Sequence, residues 1–389
     1  MPIRPVRKRI VLIFGTRPEA IKMAPVYKAL SQNDDLFDVR VLVTAQHREM
    51  LDQVLDWFSI VPDFDLDLMR HEQTLTELTA RILMAVEAVL KREKADLVLV
   101  HGDTTTTLAA SLAAFYLRIP IGHVEAGLRT GCKYAPFPEE MNRRLTDAIA
   151  DWHFAPTVEA QENLLREGIV VGRTMVTGNT VIDALLQTVS NSSESLPELV
   201  RSIPKGRRII LLTTHRRENW GEPLRAVYQS LKRVVEECPD LEVVFPVHHN
   251  PAVRSTARDL LGGVERIHLC DPLDYPSFAV LMSRTHLVLT DSGGIQEEAP
   301  ALGVPVLVLR ETTERPEAVR AGTVKLVGTD FDRIYHTVME LLQNDASYRA
   351  MAGAVNPYGD GRAAGRIVEF LKWKYGLINH PPEPFMPKA

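Results

Sequence analysis

Short runs of valine, isoleucine and leucine alternate with longer segments of helical period along most of the chain. The short runs are apolar at nearly every position, as parallel strands covered on both faces require. They predict strands at residues 9–14, 39–44, 97–101, 119–124, 209–213, 241–246, 266–269, 287–290 and 304–309. Helices are predicted between them, among others at 20–30, 76–92, 106–117 and 223–237. This alternation predicts an α/β fold with parallel, doubly wound sheets.

The length of 389 residues predicts two domains of ordinary size. A boundary is expected near residues 172–179, because the stretch that follows is polar and poor in strand formers. We therefore expect a Rossmann-like N-terminal domain at 1–175 and a second one at 176–365, facing each other across a cleft. The last segment, 366–389, is predicted to hold a helix and tail that pack back on the first domain.

The composition is that of a soluble globular protein, with 45% hydrophobic and 24% charged residues. A net charge of −5 argues against nucleic-acid or anionic-membrane binding over the whole surface. The three cysteines, Cys132, Cys238 and Cys270, are scattered without CxxC spacing, which fits a reducing compartment and neither a disulfide framework nor a zinc site. No apolar run has the length of a signal peptide or membrane span, so a cytoplasmic protein is expected.

The turn at Ser292-Gly293-Gly294 is predicted to bind a phosphate group. It follows a strand and opens a helix, so that Ser292 would cap the helix and the two glycines would let a ligand approach the amide N–H groups. Glu297 and Glu298, one turn into the helix, suggest ribose hydroxyls as partners. Taken alone, this turn is also compatible with an ordinary capped strand-turn-helix.

Two further loops at strand ends favour a nucleotide site. The polar loop at 311–318 carries Arg315, and adjacent loops at the carboxyl ends of strands form such sites in α/β sheets. Arg17 follows the first strand, where its guanidinium would clamp a diphosphate or would simply precede a helix that begins with Pro18. GxGxxG and GxxxxGK[ST] motifs are absent, which argues against NAD, FAD and ATP chemistry, and no cofactor is expected.

Carboxylates also follow strands in the first half of the chain. Asp103 and Glu125 come at strand ends, and Glu139 and Glu140 open a later helix. Singly, Asp103 would be a helix N-cap and the two glutamates ordinary partners of the helix dipole. The agreement of Asp103 and Glu125 with a phosphate loop favours an acid/base role for these two, and without paired ligand spacing no metal is expected.

Histidines end two strands of the second half. His215 is placed to bind a phosphate or to transfer a proton, and Arg216 and Arg217 beside it add positive charge. The pair His248-His249 suggests a metal, but no carboxylate or cysteine has suitable spacing, so a metal is disfavoured.

Ordered motifs from about residue 9 to residue 370 resemble the non-hydrolysing UDP-N-acetylglucosamine 2-epimerases. The motifs are GTRPEAIKMAP, TAQHREML, HGDTTTTLAASLAAF, HVEAGLRT, PFPEEMNRR, GNTVIDAL, HRREN, VHHNP, LTDSGGIQEEAPALG and ETTERPEAV. The resemblance implies two Rossmann-like domains of the glycosyltransferase-B type, a homodimer, and no cofactor. It also implies catalytic roles for Asp103, Glu125, Glu139 and His215, and substrate binding by Arg17, Lys22, Arg143, Phe278, Ser292, Gly293, Gly294, Glu298 and Arg315.

The reaction implied is the interconversion of UDP-N-acetylglucosamine and UDP-N-acetylmannosamine. Loss of UDP, proton removal at C2, reprotonation from the other face and return of UDP would give the epimer, and the product would supply N-acetylmannosamine units for cell-surface polysaccharide. A transferase of the same fold, a hydrolysing epimerase and a non-catalytic nucleotide-sugar sensor are the alternatives. A transferase needs one base, whereas epimerisation by elimination needs acid/base groups on both faces of the sugar.

Some members of the family are activated by UDP-N-acetylglucosamine at a second site. Gln46, Arg216 and His248 are compatible with that site, but Glu49 and Glu72 stand where regulated members carry glutamine and arginine. Two acids facing a diphosphate would repel it. We therefore predict a weak or absent requirement for the activator.

Overall fold

The computed structural model describes residues 7–44, 48–70, 72–191, 198–204 and 206–387, without the side chains of residues 48, 49 and 199. The chain forms two compact units: Met1–Ala184 with Tyr358–Met386, and Leu185–Pro357 with Pro387–Ala389. The boundary predicted after residue 175 falls inside a strand of the first unit, Thr174–Val176, and the first unit runs to Ala184.

The first unit is built on a parallel sheet of seven strands within the described residues. They are β1 (Lys8–Phe14), β2 (Phe37–Val43), β3 (Phe64–Asp65), β4 (Leu97–His101), β5 (Ile121–Val124), β6 (Trp152–Ala155) and β7 (Thr174–Val176). Their order across the sheet is β3-β2-β1-β4-β5-β6-β7. The central strands are buried because helices cover both faces, which explains why their sequences are apolar at consecutive positions.

Helices lie between these strands and after the last of them. They are α1 (Arg17–Ser31), α2 (Arg48–Trp57), α3 (Leu75–Glu93), α4 (Thr105–Tyr116), α5 (Glu139–Ile149), α6 (Val158–Arg166) and α7 (Thr180–Asn191). Thr16 with Glu19, and Thr74 with Glu77, form capping boxes at α1 and α3. Alanines on α4 pack against the β1 and β4 side chains in one buried cluster, and their small size lets the helix approach the sheet closely.

The second unit repeats the plan with six parallel strands in its described part. They are β8 (Arg208–Thr213), β9 (Leu241–Pro246), β10 (Ile267–Cys270), β11 (Leu287–Thr290), β12 (Val306–Val308) and β13 (Val324–Leu326), in the order β10-β9-β8-β11-β12-β13. Its helices are α8 (Glu198–Ser202), α9 (Glu222–Glu237), α10 (Pro251–Leu261), α11 (Tyr275–Ser283), α12 (Ile295–Ala301), α13 (Pro316–Ala321), α14 (Phe331–Gln343) and α15 (Asp345–Ala352).

The two sheets share one topology. Read from its own first strand, each runs 3-2-1-4-5-6, the order of a Rossmann fold, and the first adds one strand. The predicted α/β class with two Rossmann-like domains of the glycosyltransferase-B type is confirmed. In such sheets ligands bind at the carboxyl ends of the strands where the order reverses, here between β1 and β4 and between β8 and β11.

The last helix, α16 (Ala363–Lys374), belongs to the first unit. Asp183 on α7 accepts the N–H groups of Ala363 (3.1 Å) and Ala364 (2.9 Å), which are otherwise unpaired at a helix start. Burial raises the pKa of Asp183 to about 6, against the lowering effect of these two hydrogen bonds. Phe370 packs edge-on against Phe154 of β6. No helix among the described residues is long and apolar enough to span a membrane.

Candidate functional site

Glu19 joins the loops that follow β1 and β4. Its buried carboxylate accepts the N–H groups of Gly15 (3.0 Å) and Thr16 (2.7 Å) and the hydroxyl of Thr104 (2.7 Å). It therefore fixes the point where the strand order reverses. Sequence reasoning assigned Glu19 no role, although Thr16-x-x-Glu19 is a recognisable capping box. Arg17, the first residue of α1, lies half-buried beside this junction.

Lys22 and Glu125 form an ion pair at the end of β5. Asn179 donates its side-chain N–H to the same carboxylate oxygen at 2.9 Å, and the Nε2 atom of the buried His101 lies 3.7 Å from it. The Glu125 side chain is only 10% exposed, and its φ of +64° is in the left-handed region that a non-glycine residue rarely adopts. Such strained positions concentrate at functional sites.

The charge state of Glu125 follows from these contacts. Burial opposes its ionisation, but the Lys22 ammonium and His101 more than offset this and hold the pKa of Glu125 well below its usual range. Glu125 is therefore an anion near neutral pH. Because its negative form is so strongly stabilised, it is a poor proton acceptor.

Asp103 is held by two residues of α5. Its carboxylate pairs with Arg143, and its backbone carbonyl accepts the side-chain N–H of Asn142 at 2.9 Å. The N-cap of α4 is Thr104 and not Asp103, so capping does not account for this aspartate.

Glu140 lies in the first turn of α5, as predicted for a helix-dipole partner, but its contacts go beyond that role. Glu140 is fully buried, lies 3.4 Å from Arg143, and accepts the N–H groups of Thr130 (3.0 Å) and Gly131 (3.2 Å). Glu140 therefore helps to orient Arg143. This role depends on the loop at Thr130 and Gly131, whose position the sequence pattern did not predict. Glu139, the first residue of α5, is half-buried, and its side chain forms no hydrogen bond or ion pair with any described residue.

His215 in the second unit is oriented by Asp291. The buried Asp291 carboxylate lies 2.8 Å from the His215 Nδ1 atom and accepts the N–H groups of His215 and Arg216, each at 3.0 Å. Burial disfavours its charge, but the His215 ring and these hydrogen bonds lower the pKa of Asp291. The His215 side chain remains 41% exposed, so it is accessible to a ligand. Sequence reasoning missed Asp291, which lies between a strand end and the glycine turn.

The prediction that Ser292 caps the following helix is wrong. The N-cap of α12 is Gly294, in helical conformation, and no side chain caps it. A Cβ atom at Gly294 would meet nothing within 4 Å, and one at Gly293 would just reach Glu314 at 4.0 Å. The positions of the two missing side chains are thus open, which agrees with close approach of a ligand to this turn.

Glu297 and Arg315 form an ion pair, so the prediction that Glu297 contacts a ribose is wrong. Glu297 is buried, and its carbonyl also accepts the side-chain N–H of Asn356 at 3.0 Å. Arg315 is therefore committed to a carboxylate and is not a free diphosphate clamp in this structure. Glu298, on the next position, is half-buried.

The remaining predicted site residues are scattered over the second unit. Phe278 is half-buried on α11, and Arg216 lies 3.9 Å from Glu314. His248 follows β9 with its ring centroid 6.1 Å from that of His215, and burial, followed by the neighbouring histidines His215 and His249, lowers its pKa.

Gln46 lies outside the described residues. Within those residues no cluster of three or more histidine, cysteine or carboxylate side chains suits a metal.

Comparison with known proteins identifies the family. A family model described as UDP-N-acetylglucosamine 2-epimerase matches residues 28–372. The UDP-N-acetylglucosamine 2-epimerase of Escherichia coli strain K12 is 55% identical over 370 residues, covering 94% of this chain and 98% of that protein. The enzyme of the same name from Bacillus subtilis strain 168 is 53% identical over 382 residues, with 98% and 99% covered.

A solved structure of the UDP-GlcNAc 2-epimerase from Neisseria meningitidis, bound to UDP-GlcNAc, has 50% sequence identity and a TM-score of 0.84. The match covers 93% of this chain and 99% of that one. The resemblance expected from the motifs and the prediction of an enzyme are both confirmed, and this chain belongs to the UDP-N-acetylglucosamine 2-epimerase family of isomerases.

Proposed function

We propose that this chain catalyses the reversible epimerisation of UDP-N-acetylglucosamine to UDP-N-acetylmannosamine at C2, without net hydrolysis. Family membership supports the reaction class, and the Neisseria relative binds UDP-GlcNAc in its solved structure. The observation that carries the proposal is the set of carboxylates in the first unit, with Asp103 paired to Arg143 and Glu125 paired to Lys22.

The proposed route is elimination followed by addition. The C2 hydrogen is not next to a carbonyl, so direct removal would be slow. Cleavage of the C1–O bond gives UDP and positive charge at C1, after which a base removes the C2 proton and a C1=C2 double bond forms. Return of the proton to C2 from the opposite face and of UDP to C1 gives the epimer through a 2-acetamidoglucal intermediate.

We assign different roles to the three carboxylates. Glu125, held as an anion by Lys22 and His101, stabilises the positive charge that develops at C1. Asp103, which follows β4, and Glu139, at the start of α5, carry the proton to and from C2. This division follows from the ion pair of Glu125 with Lys22, which holds Glu125 as an anion and makes it a poor base.

The second unit is assigned the binding of UDP. The space that a Cβ atom would occupy at Gly293 and Gly294 is open, so that a ligand can approach this backbone, and His215 is oriented by the buried Asp291. Backbone N–H groups and a histidine suit a diphosphate. The same groups would retain UDP after the C1–O bond breaks, so that it returns to C1 and free sugar is not released.

Proton NMR in heavy water tests the proposal. We expect UDP-N-acetylglucosamine to acquire deuterium at C2 as UDP-N-acetylmannosamine appears, because the removed proton exchanges with solvent. Free N-acetylmannosamine and UDP would indicate a hydrolysing epimerase, and an unchanged spectrum would favour a transferase or a sensor.

The same assay started from UDP-N-acetylmannosamine alone tests the activator requirement. We expect turnover without a lag, because the acidic Glu72 side chain is exposed and would not attract a diphosphate. A long lag that added UDP-N-acetylglucosamine abolishes would contradict this expectation. The Glu49 side chain lies outside the described part of the chain.

We also propose a cytoplasmic homodimer that supplies N-acetylmannosamine units for cell-surface polysaccharide. Exposed apolar side chains at Met84 on α3, Phe115 and Tyr116 on α4, and Leu145 on α5 support association, since α4 packs against both other helices. Light scattering that gave the mass of one chain would contradict the dimer. Polysaccharide that kept its N-acetylmannosamine after loss of the enzyme would contradict the supply role.

A further inference from the structure

The buried face of α5 is polar, the reverse of an ordinary helix. Its buried residues are Glu140, Asn142, Arg143, Thr146 and Asp147, whereas Leu145 is exposed. Polar groups are costly to bury unless they are hydrogen-bonded, so this face indicates a function other than packing. Asp147 is the charged member of the set to which the proposed reaction gives no role.

Asp147 contacts the fully buried His123 of β5. The His123 Nδ1 atom lies 2.6 Å from the Asp147 Oδ1 atom, and its Nε2 atom lies 2.7 Å from the backbone carbonyl oxygen of Gly102. A carbonyl oxygen only accepts hydrogen bonds, and a neutral imidazole has only one N–H donor. If the Asp147 carboxylate is ionised, both ring nitrogens of His123 must therefore carry hydrogen.

Several contacts keep Asp147 ionised. Its Oδ2 atom lies 2.8 Å from Arg129 and accepts the N–H of Gly127 at 3.3 Å. Burial opposes the charge, but His123 and Arg129 outweigh it and lower the pKa of Asp147. His153 lies nearby but forms no hydrogen bond with this carboxylate in the described structure. Its Nε2 atom instead contacts the backbone carbonyl of Asp147 at 2.9 Å.

The other end of the His123 ring reaches the residue before Asp103. Gly102 has a φ of +69°, a conformation that favours glycine, and its N–H donates to the carbonyl of Val124 at 2.9 Å. The carbonyl of Asp103 is held by Asn142 at 2.9 Å. The peptide groups on both sides of Asp103 are thus fixed, one by His123 and one directly by α5.

We propose that His123 is a buried imidazolium and a positioning residue, whose Nε2–H holds the Gly102 carbonyl and thereby sets the orientation of Asp103, with Asp147 as its counterion. The inference rests on the proposed role of Asp103 in proton transfer. The proposal gives the site a supporting charged pair, His123 and Asp147, and assigns this pair no contact with the substrate.

Nitrogen NMR of the full-length protein tests the charge state. The protein is labelled with ¹⁵N-histidine, and the His123 signals among its 12 histidines are assigned by their loss in His123→Gln. We expect both ring nitrogens to be protonated near neutral pH. In Asp147→Asn, the amide N–H donates to Nδ1 while the amide oxygen still accepts from Gly127 and Arg129, so the ring should become neutral. An unprotonated ring nitrogen in the wild-type His123 would overturn the proposal.

Two conservative variants test the positioning role. Glutamine places its amide where Nε2 lies and keeps a donor for Gly102, whereas asparagine places it near Nδ1 and does not. We expect His123→Asn to lower kcat about 100-fold, because small misplacement of a reacting group has effects of this size. His123→Gln should retain most of kcat, and KM and the Kd of UDP should change in neither variant.

Equal losses in the two variants, or a change confined to KM, would contradict the positioning role. If neither variant folds, the His123 ring signals of the wild-type protein are assigned through its backbone by triple-resonance NMR, and their protonation still decides the charge state. A wild-type protein that does not epimerise contradicts the proposed function, whereas an active wild type with a neutral His123 contradicts only this inference.

Discussion

Asp103→Asn is expected to reduce kcat about 1000-fold, within the range that loss of a general acid or base produces. Asparagine has nearly the same shape and still accepts a hydrogen bond from Arg143, so the contacts that hold the loop should largely survive. The lost function is proton transfer at C2. Proton NMR in heavy water should therefore show almost no deuterium entering C2, while calorimetry shows UDP binding to be retained.

The matched control for this variant is Asp35→Asn. Asp35 is exposed on the turn between α1 and β2 and takes no part in the site, so its variant should have wild-type kcat. Exchange at C2 that continued at the wild-type rate in Asp103→Asn would remove Asp103 from the proton-transfer groups. Loss of UDP binding in that variant would instead indicate damage beyond the reacting group.

Lys22→Met is expected to destabilise the protein by about 3 kcal/mol, because it leaves the buried Glu125 anion without its main counter-charge. Adding Glu125→Gln to this variant should recover most of the lost free energy of unfolding, since the uncompensated charge is then absent. Urea unfolding of the two single variants and the double variant measures the coupling. Lys28→Met on the same helix, where the side chain is exposed, should change stability by less than about 1 kcal/mol.

This prediction has a definite pH dependence. In the wild type the folded pKa of Glu125 lies below its ordinary value, so the pair contributes full stability above that value and loses it as pH falls toward the folded pKa. Without Lys22, burial raises the pKa of Glu125. Protonation of Glu125 at lower pH then removes the unpaired buried charge that destabilises the Lys22→Met variant. The difference in stability should therefore shrink from about pH 8 to about pH 5. A constant difference would show that Glu125 is not its source.

The apolar runs predicted the central strands well. β4, β9 and β11 have the bounds that their sequences indicate, because each is buried on both faces and needs apolar side chains throughout. The short strands β3, β6, β7 and β13 were not predicted, since none of them lies in a longer continuous apolar run. β6 also contains Trp152 and His153, and its strand character comes from pairing with β5 and β7.

The sequence predicted which residues of the site lie at strand ends, but it predicted few of the contacts between their side chains. Their positions after predicted strands placed Asp103 and Glu125 at the carboxyl-terminal edge of a sheet. The pairing of Glu125 with Lys22, which comes 103 residues earlier in the chain, could not be predicted in this way. The Ser292 cap failed because capping depends on backbone angles, and Gly294 takes the N-cap position. Glu297 was misassigned because its partner Arg315 lies in another loop, and buried ion pairs of this kind leave no local pattern.

The path of the chain through the first unit sets an order on its synthesis. That unit combines Met1–Ala184 with Tyr358–Met386, so the ribosome makes Leu185–Pro357 of the second unit before the first has all its residues. Until then Asp183 lacks the two N–H donors of α16, and the β6 surface that Phe370 covers stays open. Domains of nascent chains usually fold from the N-terminus onward. Here the unit that begins to emerge first stays incomplete, with that surface of β6 exposed to chaperones, while Leu185–Pro357 is synthesised.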